Sequence, residues 1–160
     1  MKAVTIKQLK DELAHKSAQD LKELCLHLAR FKKENKELLT YVLFESHDED
    51  GYIVTLKEEV DVQFDEINTH SFYYIRKSMR KILTGIKKHI RYSKKKETEV
   101  ELLLYFCAKL KAFRPSIKRS VQLQNVFDTQ LRMAKKAIEK LHEDLQYDFQ
   151  LEVDNLLDNE

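Results

Sequence analysis

The sequence predicts an all-α fold of about seven helices, and two observations carry that expectation. Its 160 residues include only two glycines and one proline, so β-turns and hairpins have almost no material to be built from. Apolar residues recur at three- and four-residue spacing along most of the chain, the period of a helix that buries one face. The length suits a single domain, 1–160, with a core that needs no disulfide or metal. Connections of about two to six residues make successive helices antiparallel neighbours, in a bundle or in a short right-handed helical solenoid.

Each element has a local reason. Thr5 with Gln8 has the spacing of a capping box and opens a first helix near 6–14; Ser17 with Asp20 opens a second near 18–32. Glu34 or Asn35 precedes a third near 36–46. The run SHDEDG (His47, Asp48, Glu49 and Asp50 within it) interrupts the pattern, and its carboxylates suit the amino end of a fourth helix. That helix carries Ile53, Leu56, Val60, Phe64 and Ile67 on one side. Ser71 caps a fifth helix running to about Tyr92, and Thr98 or the preceding KKKE opens a sixth that ends at Phe113, before Pro115. Ser120 starts a seventh, and Leu123, Phe127, Leu131, Ala134, Ile138, Leu141 and Leu145 predict one continuous helix to about 147. Residues 148–160 read as a loosely docked acidic tail. Its Val153, Leu156 and Leu157 settle on the domain or on a second copy, and the latter gives a homodimer.

The stretch AHKSAQDLKELCLHLARFKKENKELLTYVLF, residues 14–44, resembles the helical hairpins of HEAT-like bacterial solenoid proteins: a Ser-x-x-acid cap, a Leu-rich helix, a polar turn and a second Leu-rich helix. The resemblance implies a protein-binding or scaffolding role without catalysis and carries over no functional residue. An ungapped match of residues 21–32 with 100–111, pairing Leu24 with Leu103 and Ala29 with Ala108, has the offset expected of about two such repeats.

Charge is distributed in blocks. Residues 45–66 hold nine acids and one lysine, residues 67–96 ten bases and no acid, and residues 139–160 eight acids and one lysine. At about 100° per residue, Phe72, Ile75, Met79, Ile82, Leu83, Ile86 and Ile90 collect on one stripe of the fifth helix. Arg76, Lys77, Arg80, Lys81, Lys87, Lys88 and Arg91 fall on the adjoining arc, and Lys94, Lys95 and Lys96 extend it past the helix end. Such a ridge suits phosphate backbones, with Tyr73, Tyr74 or Tyr92 as rings for base stacking. It equally suits an acidic protein, and the acidic blocks on either side are candidates to neutralise it from within.

Catalytic chemistry has little support. Glu12 with His15 and Glu139 with His142 have the Glu-x-x-His spacing of di-iron helical bundles, but the second pair flanks its apolar stripe and His15 lies at a helix end. No Gly-rich phosphate loop, nucleophile elbow, CxxC pair or HExxH helix occurs. No metal site, cofactor or enzymatic activity is therefore expected. Cys25 and Cys107 lie in the apolar runs LKELCLHL and ELLLYFCAKL and read as reduced core thiols. The segment MKAVTIKQLKDEL lacks the apolar core of a signal peptide, and no uncharged run reaches the roughly 18 residues of a membrane span, which points to the cytoplasm. The expected function is a non-catalytic helical interaction or scaffold module that binds a protein partner. The alternative is nucleic-acid binding through the basic helix, 71–96.

Overall fold

A computed structural model describes residues 1–158, and these are helical with no strand. The helices are α1 (Ile6–Leu13), α2 (Ala18–Phe31), α3 (Lys33–Thr40), α4 (Glu49–Asp65), α5 (Phe72–Ser93), α6 (Lys96–Ala112), α7 (Val121–Ile138) and α8 (Glu143–Asp158). A π-type turn over Tyr41–Glu45 follows α3, and a 3-10 turn over Ile117–Arg119 precedes α7. The chain divides into two compact units, Met1–Phe44 and Glu45–Glu160.

In the first unit, local hydrogen bonds set the helix starts. Both capping boxes form: Gln8 N–H donates to Thr5 Oγ1 at 3.3 Å while Thr5 N–H donates to Gln8 Oε1 at 3.0 Å. Ser17 and Asp20 exchange the same pair of bonds at 3.1 and 3.2 Å. The third helix starts at Lys33 instead of near 36, because Lys32 leaves α2 in an extended conformation and α3 begins on the next residue. Asn35 then donates its side-chain amide to the Leu28 carbonyl at 2.8 Å, clipping α3 to the last turn of α2. None of the three helices buries a residue.

The second unit is built around α6. Thr98, Val100, Leu102, Leu103, Leu104, Phe106, Cys107 and Leu110 are all buried, so its apolar side chains point in nearly every direction and no one neighbour covers them. Helices α4, α5, α7 and α8 each pack against it. From α4 come Ile53, Leu56, Val60 and Phe64, with the Phe64 ring edge-on to Phe106 at 5.9 Å between centroids. From α5 come Ile75, Met79, Ile82 and Ile86, and from α7 Leu123, Phe127, Leu131, Ala134 and Ile138. Polar groups link the rims: Lys57 reaches Glu101 at 2.7 Å, Tyr105 donates its hydroxyl to Asp61 at 2.5 Å, and Lys109 reaches Asp61 at 2.9 Å. These contacts advance together along α4 and α6, so the two helices run in the same direction. The Tyr105 hydrogen bond, and next to it Lys109, hold the Asp61 carboxyl below its usual range.

Four expectations need correction. The seventh helix is two: α7 stops at Ile138 and α8 starts at Glu143. The apolar spacing continues through Leu141 and Leu145, but tight turns from Lys140 N–H to the Ala137 carbonyl and from Leu141 N–H to the Ile138 carbonyl close α7. The Gln146 amide holds the break by donating to the carbonyls of Glu139 and Leu141, at 3.3 and 2.8 Å. The helices therefore number eight among the described residues. Residues 148–158 are not a loose tail, because Phe149 and Val153 of α8 are buried and Lys111 donates to the Leu156 carbonyl; Asn159 and Glu160 lie outside the described residues. Cys107 is a core thiol but Cys25 is exposed. The 21–32 and 100–111 segments occupy opposite environments, Leu24 being 44% exposed and Leu103 1%, so their match marks no repeated packing unit.

Two outcomes follow. Truncating Phe106 to Ala, fully buried at the centre of the second unit, should cost about 3–5 kcal/mol in urea unfolding followed by far-UV circular dichroism. Burial pushes the Cys107 thiol up to about 12, so a chromogenic disulfide reagent at neutral pH should titrate one thiol in the folded protein, at Cys25, and both after denaturation.

Candidate binding surface

The basic ridge sits on α5 as the outward complement of its buried stripe. Ile75, Met79, Ile82 and Ile86 face the core; Lys77, Arg80, Lys81 and Arg91 are exposed, and Arg76, Lys87 and Lys88 are half-buried along the edges. The helix ends at Lys94, which takes a left-handed conformation at φ 60° and donates its N–H to the Ile90 carbonyl at 2.9 Å. Lys94, Lys95 and Lys96 are exposed there, so the ridge extends beyond the helix end.

Its charges are only partly compensated. Lys95 pairs with Glu49 at 3.3 Å and Lys96 with Glu99 at 2.7 Å. Among the described residues, Arg76, Lys77, Arg80, Lys81, Arg91 and Lys94 make no ion pair. Asp61 of α4 turns to α6, where Tyr105 and Lys109 engage it, whereas Glu59 lines a small pocket with Gly85, Ile86 and His89 of α5. Glu49 reaches the carboxyl end of α5. It accepts from Thr98 Oγ1 at 2.6 Å and from Ser93 Oγ, and with Lys95 it ties the start of α4 to the α5–α6 turn. Asp48 caps the same helix end by accepting from Gly51 N–H at 3.0 Å; a Cβ at Gly51 would fall 2.3 Å from the Asp48 carboxylate, so glycine makes this cap fit.

The three rings expected to stack on bases fare differently. Tyr73 is 61% exposed at the amino end of the ridge, edge-on to Tyr74 at 5.4 Å. Tyr92 is buried, with the His89 ring 5.5 Å away, so it presents no face to a base. Tyr74 is 43% exposed beside Tyr73 and keeps a face open to a base.

Sequence reasoning missed two further features. Bases outside the fifth helix approach the ridge: the Arg119 guanidinium lies over the Phe72 ring at 5.6 Å, and Lys87 Nζ lies 3.9 Å from Met133 Sδ on α7. The first unit also displays its apolar residues: Leu21, Leu24, Leu28 and Phe31 of α2 are all exposed, and a groove of about 320 Å³ runs between Cys25, Leu28 and Ala29 on one side and Leu38, Leu39 and Val42 on the other. Apolar exposure of this sort is not visible in a periodicity that only says which side chains share a face.

A wider cleft of about 820 Å³ in the first unit lies between Leu9 and Leu13 of α1 and Leu24 and His27 of α2. A cleft of about 330 Å³ between α4, α6 and α8 holds the Lys57–Glu101 pair and Glu152, whose carboxyl burial and the nearby Glu101 push up. Among the described residues no group of three or more His, Cys, Asp and Glu side chains is placed to hold a metal, and no helix is long and apolar enough to cross a membrane. His142 meets only Asp144, at 3.6 Å, on an exposed turn.

Removing the Glu49 side chain should show what fixes the α5–α6 turn. Glu49→Ala leaves the buried Thr98 and Ser93 hydroxyls without this acceptor and should cost about 2 kcal/mol in urea unfolding, with Glu49→Gln costing less.

Compared with family models, curated proteins and solved structures, the chain matches none of them.

Proposed function

We propose that the protein is a non-catalytic helical scaffold whose first unit docks on a protein partner. The observation that supports this reading is the open apolar face of α2 and α3. Leu21, Leu24, Cys25, Leu28 and Phe31 fall within one arc of α2, and all five are exposed. Leu38 of α3 and Val42 just after it continue that surface across the groove. Burying four large side chains of this kind contributes roughly 6–12 kcal/mol before the costs of association, enough to drive a specific complex.

The shape favours one occupant. A straight groove between two helices takes the apolar face of a third, anchored at three- and four-residue intervals, and the charged residues around it fix the register. The HEAT-like stretch 14–44 ends where the first unit ends, which fits a helical hairpin used as a docking element. Helices of 8 and 14 residues with no buried side chains are marginal in water, so they gain their stability from whatever fills the face.

Hydrogen exchange by mass spectrometry on the full chain, with the mass measured by light scattering, tests this. Expected is rapid exchange of α1–α3 in a monomer whose α6 amides are protected to the limit of global unfolding. Slow exchange of α1–α3 in a monomer means that the face is closed within the chain and overturns the reading. Protection that appears with concentration, together with a doubled mass, replaces the foreign partner with a second copy.

A further inference from the structure

The ridge on α5 has a second wall. Two contacts place the segment 119–133 beside α5: Arg119 over Phe72 at one end, and Lys87 against Met133 at the other. Nearly equal stretches of chain separate these contacts, from 72 to 87 and from 119 to 133, so α5 and α7 run in the same direction and stay in register. The side of α5 that faces this seam carries Arg76, Arg80, Leu83, Lys87, Ile90 and Arg91, by the same 100° step that brings Phe72 and Lys87 together. The facing side of α7 carries Val126, Thr129, Met133 and Lys136. Leu83, Ile90, Val126 and Thr129 are half-buried, while Arg80, Arg91, Arg119 and Lys136 are exposed.

No acid interrupts this surface. The 72–93 helix has none, and the one acid of α7, Asp128, lies roughly 140° around the helix from Met133 and takes a hydrogen bond from Gln124 at 3.0 Å. Arg76 to Arg91 spans roughly 22 Å along α5, long enough to follow several nucleotides of one strand. Arginine forks on both edges suit phosphate oxygens, which accept two parallel N–H bonds from each. The exposed Tyr73 and Tyr74 rings stand at the amino end, where an unpaired base can stack.

We propose that the seam between α5 and α7 binds single-stranded nucleic acid, its phosphates held between Arg76, Arg80, Lys87 and Arg91 on one wall and Arg119 and Lys136 on the other, with a base on Tyr73. Carboxylates alone would satisfy the arginines, but they leave the tyrosine pair without a role. A duplex has no unstacked base to offer it. The site lies wholly in the second unit and does not depend on the apolar face of the first.

Fluorescence anisotropy with labelled oligo(U) and oligo(dT) of about 20 nucleotides tests the proposal. Six phosphate contacts predict that log affinity falls against log salt with a slope of about −4 between about 50 and 200 mM. Arg80→Glu with Arg91→Glu should weaken binding at least tenfold, and Lys136→Glu alone should weaken it severalfold, which a site confined to the α5 ridge would not require. Tyr73→Ala should lose about tenfold at every salt concentration without changing the slope. Lys7→Glu with Lys10→Glu, an equal charge change in the first unit, should leave affinity unchanged. Circular dichroism checks that each variant is folded. No binding at the lower salt, equal loss in the first-unit control, tighter binding of the matching duplex, or equal competition by polyglutamate would overturn it, the last result assigning the seam to an acidic protein.

Discussion

The burial of α6 is the constraint from which the second unit follows. A helix whose run VELLLYFC is apolar at every position but Glu101 and the Tyr105 hydroxyl cannot lie at a surface, so other helices must enclose it. Each of the four that do so spends its apolar stripe on α6 and is left with a polar side turned outward. For α4 that side is acidic, and it is stitched to the rim of α6 by the Lys57–Glu101 and Asp61–Lys109 pairs. For α5 it is cationic. The orientation of the ridge is thus fixed by packing and not by attraction to the neighbouring acids, and the turn that joins α5 to α6 is held by Glu49, which gathers Ser93, Thr98 and Lys95.

The first unit obeys a different logic. Its helices begin where capping boxes put them and α3 is clipped to α2 by Asn35, so local hydrogen bonds explain its secondary structure completely. They do not explain its stability. Of its large apolar side chains only Tyr41 is buried, and caps contribute about 1 kcal/mol each against a backbone entropy of similar size per residue ordered. The second unit therefore rests on a core that the first does not have, and that contrast supports the docking role proposed for residues 1–44.

What the sequence made legible was whatever depends on near neighbours. Helix content, the caps at Thr5 and Ser17, the acids at the start of α4 and the stripe of Ile75, Met79, Ile82 and Ile86 are all set by residues within a turn or two. The break between α7 and α8 was hidden because Ile138, Leu141 and Leu145 keep helical spacing across it, and the side chain that secures the break, Gln146, lies beyond it. Tyr92 looked available because it sits among lysines, yet its ring turns inward toward His89. The second wall of the seam was out of reach altogether: Phe72 and Arg119, or Lys87 and Met133, are brought together only when α6 places α5 and α7 on adjoining sides of itself.

The energetics of α5 bear on why such a surface exists. Arg76 with Arg80, Lys77 with Lys81, and Lys87 with Arg91 are like charges four residues apart, and each pair destabilises a helix by roughly 0.2–0.5 kcal/mol. Burial of Ile75, Met79, Ile82 and Ile86 outweighs that cost several times over, so the helix tolerates the repulsion. Tolerance is not a cause, however. Alternating signs along the same face would keep the side solvated, add favourable pairs and leave the core untouched. Salt at physiological strength screens exposed charges beyond about 8 Å, which softens the repulsion along the ridge but not between adjacent turns. A face that keeps its cations together at that cost supports the anion site proposed on α5.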